Sequence, residues 1–272
     1  MTAAHNLTDL VQLSRELGEP WRRFAILAEG NTSQRVAKDQ LAVKATGRSL
    51  RHASAEDFVV VSLRRLSDIV DDSEAGDAEV ARYFDELETE QGMRPSVEAL
   101  LHVVCVLDAG ATTVAHTHPE SVNALLCSDH ADVLAGPPIF PDQVVVMGRR
   151  ALLVPYSDPG VVLAREVRGR LTEHARQWGM PRVIYLGNHG LFVLGASAAQ
   201  ALQLTEMADK VSRILGATLS FGNVVPMTEE SVKRIDTRDD EQIRRTALAR
   251  AALPQPDNKS QEPEGLRSRS LD

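Results

Sequence analysis

Apolar residues in the first part of the chain recur at two different spacings. Leu7, Leu10, Val11, Leu13 and Leu17 repeat every three to four positions, which predicts an amphipathic helix capped by Asn6 and closed by Gly18. Short apolar runs at residues 24–27, 41–45 and 58–62 read as strands, separated by Gly30, Gly47 and polar turns. Residues 71–77 are acidic and read as a poorly ordered loop. Ser96 is the expected cap of a helix through Leu100, Leu101, Val104 and Leu107, ended by Asp108-Ala109-Gly110. The run Thr112-Thr113-Val114-Ala115 reads as a strand leading into His116-Thr117-His118, with a helix over 120–126 after it. Strands are expected at 143–147, 151–155, 182–186 and 191–194, and a helix at 163–178. Gly187-Asn188-His189-Gly190 forms the turn before the last strand. Ser197 then opens a long helix striped by Leu204, Met207, Val211, Ile214 and Leu215.

Several strands follow one another without an intervening helix. That order predicts α+β layers around a mostly antiparallel sheet in place of strict βαβ alternation. No internal repeat is present. Residues 254–272 are rich in Pro, Ser, Gln and charge, a composition expected of a disordered tail, so the folded domain is assigned to 1–253.

Composition narrows the partners. The 272 residues are 43% hydrophobic and 25% charged, enough for a sizeable core. A formal net charge of −8 with no Lys/Arg-rich block argues against nucleic acid. No apolar run approaches the ~20 residues needed to span a bilayer. The N-terminus lacks the basic and apolar parts of a signal peptide, so a cytoplasmic location is expected. Cys105 and Cys127 stand in apolar stretches and read as buried free thiols of a reducing compartment. Asn31-Thr32-Ser33 matches a glycosylation acceptor, a match without content in a protein that is not secreted.

Candidate chemistry centres on the histidines. Side chains alternate along a strand, so His116 and His118 share one face at a strand end, as two ligands of a divalent metal would. His189, in a turn beside Gly190, is a candidate third ligand. His5, His52, His130 and His174 fall in polar segments. Glu98 and His102 are four apart on one helix face and are positioned to interact. Glu98 reads as helix-start bias, as a general base, or as a fourth ligand that substrate displaces. Two glycine turns, Glu29-Gly30-Asn31-Thr32-Ser33 and Lys44-Ala45-Thr46-Gly47-Arg48, can each ring an anion with backbone N–H groups. No Walker loop, dinucleotide fingerprint or Gly-x-Ser-x-Gly elbow occurs, which disfavours nucleotide binding and serine hydrolysis.

Taken in order, Glu29-Gly30-Asn31-Thr32-Ser33, Lys44-Ala45-Thr46-Gly47, Pro95-Ser96-Val97-Glu98, His116-Thr117-His118-Pro119 and Asn188-His189-Gly190-Leu191 resemble the class II (metal-dependent) aldolase/adducin family over about residues 7–250. Val122-Asn123-Ala124-Leu125-Leu126-Cys127-Ser128 and Phe140-Pro141-Asp142-Gln143 are most similar to its rhamnulose-phosphate aldolase branch. The resemblance implies an α/β/α fold around a largely antiparallel sheet, assembled as a cyclic homotetramer with sites between subunits. It implies Zn2+, or Mn2+ or another divalent metal, on His116, His118 and His189, and Glu98 as the acid/base. It further implies a phosphate or carboxylate pocket lined by Gly30, Asn31, Thr46, Gly47 and Ser96. The implied activity is that of a metal-dependent lyase on a small-molecule substrate, cleaving a short ketose phosphate through a metal-stabilised enediolate. Decarboxylases, dehydratases and the non-catalytic adducins share the family. Two departures stand out. Val97 replaces a serine that often precedes the glutamate. Pro141 falls near the place of a tyrosine that serves as general acid in fuculose-phosphate aldolase, so Asp142 becomes a candidate for that role.

Overall fold

The computed structural model describes residues 6–250 together with Leu253. The tail assigned to 254–272 lies outside the described residues. Seven strands form one sheet: β1 (Asn31–Ala37), β2 (Gln40–Lys44), β3 (Phe58–Ser62), β4 (Thr113–Thr117), β5 (Leu152–Val154), β6 (Val183–Leu186) and β7 (Gly190–Gly195). Their order is β3-β2-β1-β4-β7-β6-β5, and every neighbouring pair is antiparallel except β5 with β6. Ten α-helices accompany it among the described residues: α1 (Thr8–Leu17), α2 (Leu63–Asp71), α3 (Asp77–Gln91), α4 (Ala99–Leu107), α5 (Glu120–Leu126), α6 (Pro141–Met147), α7 (Val161–Trp178), α8 (Ala198–Phe221), α9 (Glu229–Thr237) and α10 (Asp239–Arg250).

Strand alternation divides the core into two layers. Val114 of β4 and Phe192 and Leu194 of β7 join the apolar residues of α2, α3, α4 and α7 on one face. Ala115, Leu191 and Val193 face the other way, onto α1, α5 and α8. The fold is therefore α/β, three layers around a mostly antiparallel sheet. Among the described residues no helix is long and apolar enough to cross a membrane.

Several local expectations fail for physical reasons. Residues 24–27 are not a strand. Phe24 and Ala25 are buried, whereas Ile26 and Leu27 turn outward at 64% and 87% exposure, Leu27 with a left-handed φ of 51°. The strand that does precede β2 is β1, whose Asn31-Thr32-Ser33 start looks like a turn. Those residues are buried because each has a partner: Thr32 meets Ser14 of α1 at 2.6 Å, while Asn31 and Ser33 face the site described below. Residues 143–147 form helix, not strand. Pro141 starts it, and Val144 and Val145 pack on Val232 and Ile235 of α9.

The acidic stretch 71–77 contains a short turn between α2 and α3, held by Arg165, which donates to the carbonyls of Val70 (3.0 Å) and Ala75 (2.8 Å). Ser96 does not cap α4; Glu98 occupies that position. Both cysteines are free, but Cys127 is exposed and only Cys105 is buried. Where the caps are conventional the reading holds: the Ser197 side chain accepts the Gln200 N–H at 3.2 Å to start α8.

Candidate metal centre

The three central strands β1, β4 and β7 meet at one end of the sheet, and the register sets Asn31 opposite His116 and His116 opposite Phe192. His116 is the penultimate residue of β4 and His118 lies just past its end; both are carried by the strand the sequence predicts. His189 comes from the turn between β6 and β7. There Asn188 takes a left-handed φ of 52°, a conformation Asn tolerates, and the Asn123 side chain on α5 donates to the His189 carbonyl at 3.1 Å. Gly190 leaves the room the histidines occupy. A Cβ there would lie 2.5 Å from His118 Cδ2 and 2.8 Å from the Thr117 carbonyl.

One ligand atom from each of His116, His118 and His189 lies within 4.8 Å of the others. His116 Nδ1 is 3.0 Å from the Leu191 carbonyl and His118 Nδ1 is 3.3 Å from Glu29 Oε2, so each donates its Nδ1–H outward. Both Nε2 atoms then present lone pairs to one another 2.9 Å apart. Glu98 Oε1 adds a further acceptor, 3.1 Å from His116 Nε2 and 2.9 Å from His189 Nε2. Two imidazole lone pairs and a carboxylate oxygen aimed at one point need a cation or a proton between them, and with the His189 ring beside them they make a donor set that suits a divalent metal. His116 is fully buried and stacks on Phe192 with ring centroids 4.3 Å apart, which fixes its plane.

Electrostatics follow the burial. Burial opposes ionisation of Glu98, but with protons on the Nε2 atoms of His116 and His189 the charge and hydrogen bonds of those rings hold its carboxyl well below the usual range. Burial, reinforced by His116, lowers His118 to about 4. Neither shift needs a remote cause.

The residues expected to line an anion pocket divide into two groups. Asn31 reaches the centre: its Nδ2 lies 2.6 Å from Glu98 Oε2 and 3.3 Å from Ser96 Oγ. The backbones of 44–46 and 94–96 run antiparallel, with the Thr46 N–H donating to the Arg94 carbonyl at 2.9 Å and the Ser96 N–H to the Lys44 carbonyl at 3.3 Å. Gly30 packs beneath His116 with φ of 70°, where a Cβ would meet the His116 carbonyl at 2.8 Å. Gly47, with φ of 72°, and Thr46 are exposed.

The chain pattern did not single out Lys44 as a member of this group. Its buried ammonium donates to the carbonyls of Ala28 (3.4 Å), Ala45 (3.4 Å) and Arg48, tying the two glycine turns together, and burial lowers it to about 8. Glu29 was equally unassigned. Both carry a signal visible in the sequence, a charged residue inside a Gly-containing apolar segment. Asp142, the candidate acid, pairs instead with Arg244 of α10 at 2.8 Å and Lys210 of α8 at 3.9 Å. Val97 is 45% exposed.

Comparison with known proteins bears on the fold and the family. A curated relative, the "Uncharacterized oxidoreductase YuxG" of Bacillus subtilis (strain 168), is 24% identical over 185 residues; the match takes in 65% of this chain but 24% of that protein's length. Among solved structures, YgbL of Klebsiella pneumoniae superposes with a TM-score of 0.61 at 23% identity, covering 84% of this chain and 95% of the other. The L-fuculose-1-phosphate aldolase of Thermus thermophilus superposes with a TM-score of 0.55 at 18% identity, covering 81% of this chain and 97% of the other. At such identities these structures speak for the fold. The model of the class II aldolase and adducin N-terminal domain matches residues 8–215, well over half of the sequence, and the chain accordingly belongs to the class II aldolase and adducin family.

Proposed function

We propose that the protein is a metal-dependent lyase that cleaves a short ketose phosphate, with Glu98 as its proton-transfer group. The observation that carries this reading is the position of Glu98 Oε1, within 3.1 Å of two Nε2 atoms at the point where the three rings converge. A carboxylate kept ionised at that point can take a proton from a substrate carbon beside a polarised carbonyl, and return it. A divalent ion on His116, His118 and His189, zinc or manganese among the candidates, would supply that polarisation and spread the resulting negative charge.

Asn31 donates to the second carboxylate oxygen and so leaves Oε1 as the reacting atom. Ser96, Thr46 and the backbone of Gly30 and Gly47 are the groups proposed to bind the anionic end of the substrate, beside the Lys44 ammonium. Val97 takes the place where a second hydroxyl would add a hydrogen bond, so this pocket binds its anion with fewer donors. The proposed assembly is a homotetramer, and the proposed setting is the cytoplasm.

Dihydroxyacetone phosphate, the ketone fragment left by cleavage of a ketose 1-phosphate, is the simplest probe. In D2O the metal-loaded protein is expected to exchange its carbon-bound proton, read by NMR. His118→Ala is expected to lose the metal and the exchange, whereas Glu98→Gln keeps the metal and loses the exchange. An active Glu98→Gln protein would overturn the role given to Glu98. Release of CO2 from a carboxylated substrate without any exchange would replace the aldolase reading by decarboxylation.

A further inference from the structure

His102 lies one turn beyond Glu98 on α4, fully buried against the sheet. Hydrogen bonds join the two side chains through β1. His102 Nδ1 is 2.7 Å from Ser33 Oγ, and its Nε2 meets Asn31 Oδ1. The amide of Asn31 then reaches Glu98 Oε2 through Nδ2 at 2.6 Å. The ring edge of His102 rests on Phe192, centroids 5.3 Å apart, the same ring on which His116 stacks.

The direction of every bond in this chain is determined. Asn31 Nδ2 lies on Glu98 Oε2 and can only donate, so the carboxylate oxygen accepts and Oδ1 faces His102. His102 must therefore carry its proton on Nε2, which leaves Nδ1 to accept from the Ser33 hydroxyl. Burial lowers His102 to about 3, so the ring is neutral and can hold only one of the two tautomers. A flipped Asn31 amide would set two acceptors against one another at Glu98 and would require the other tautomer of His102.

We propose that His102 is a positioning residue for Glu98, acting through Asn31. Ser33 fixes the tautomer of His102, His102 fixes the orientation of the Asn31 amide, and the amide fixes the carboxylate. Oε2 is thereby held by a donor, and Oε1 is left facing the substrate. The inference rests on Glu98 as the proton-transfer group, and its tests separate the two.

Long-range 15N–1H correlation of the wild-type protein at neutral pH is expected to show His102 as the Nε2–H tautomer; the Nδ1–H form would overturn the proposal whatever the substrate. His102→Gln keeps a donor at the place of Nε2, His102→Asn keeps a polar group only at the place of Nδ1, and His102→Leu keeps neither. In the dihydroxyacetone phosphate exchange assay, His102→Leu and His102→Asn are expected to lose at least about tenfold in kcat. Their KM and metal content stay within about threefold of wild type, and His102→Gln recovers most of the rate.

A merely structural His102 would instead lower thermal stability, metal content and kcat together, with His102→Gln no better than His102→Leu, and that pattern overturns the proposal. Wild-type kcat in a folded His102→Leu protein, with Glu98→Gln inactive, overturns the positioning role alone. Activity in Glu98→Gln overturns the function it rests on, while the tautomer remains a test of the hydrogen-bond chain.

Discussion

Gly190 sets the tightest steric condition on the histidine cluster. Its φ is not left-handed, so alanine is acceptable to the backbone, and the conflict is one of space alone: the added Cβ would sit 2.5 Å from His118 Cδ2 and 3.2 Å from His116 Cε1. Gly190→Ala is expected to cost about 1–3 kcal/mol in urea unfolding, as overpacking does, and to weaken metal binding. Unchanged affinity would mean that the rings relax away at no cost.

Glu29 acts on the same cluster from outside. Its Oε2 takes the His118 Nδ1–H while its Oε1 accepts the Ile26 N–H at 2.7 Å, so the carboxylate is anchored before it meets the ring. Residues that orient a metal-bound histidine in this way typically control affinity by about 10–100-fold. Glu29→Ala is expected to lose affinity on that scale in chelator competition, and Glu29→Gln, which keeps an acceptor, to lose less. Equal affinities in all three proteins would remove Glu29 from the site.

At the scale of elements, helices were legible where one face met the core and the other met water, and strands as short apolar runs because the sheet is covered on both faces. Helices α1, α4, α5, α7 and α8 and strands β2 to β7 follow from the pattern within a few residues. It failed where burial was not apolar or where an unseen partner covered an element. The Asn31-Thr32-Ser33 start of β1 is hidden by hydrogen bonds to Glu98, Ser14 and His102, so its polarity imitates a turn. The candidate site residues were visible as side chains of the right chemistry, yet the links among them cross strands and helices far apart in sequence. Only the four-residue spacing of Glu98 and His102 hinted at one.

The run Gln143-Val144-Val145-Val146-Met147 has the composition of a strand. It is helical because α9 offers Val232 and Ile235 to the face that carries Val144 and Val145. Tertiary contact here overrides propensity. Ile235→Ala is expected to destabilise the protein by about 2–4 kcal/mol in urea unfolding. A loss below about 1 kcal/mol would show that α6 holds its helix without α9, and the explanation for the misread segment would fail.

For the whole molecule, residues 1–253 are proposed to be one cooperative domain, and the sheet supplies the reason. Successive residues of β4 and β7 feed opposite layers: Val114, Phe192 and Leu194 one core, Ala115, Leu191 and Val193 the other. Neither layer can melt without exposing the other side of the same strands, and the histidine centre at their ends depends on both. The two tryptophans report on the two sides. Trp21, with Arg22 stacked on it at 4.2 Å, follows α1, which packs against α8. Trp178, with Arg150 at 4.6 Å, ends α7, which packs against α4. Trp178→Phe leaves Trp21 as the fluorophore and Trp21→Phe leaves Trp178. The urea midpoint read by fluorescence in each variant is expected to coincide with its midpoint by far-ultraviolet circular dichroism. A fluorescence midpoint separated from the circular dichroism midpoint in either variant would mean that the layers unfold independently, and the histidines could then no longer be treated as the product of a single folded unit.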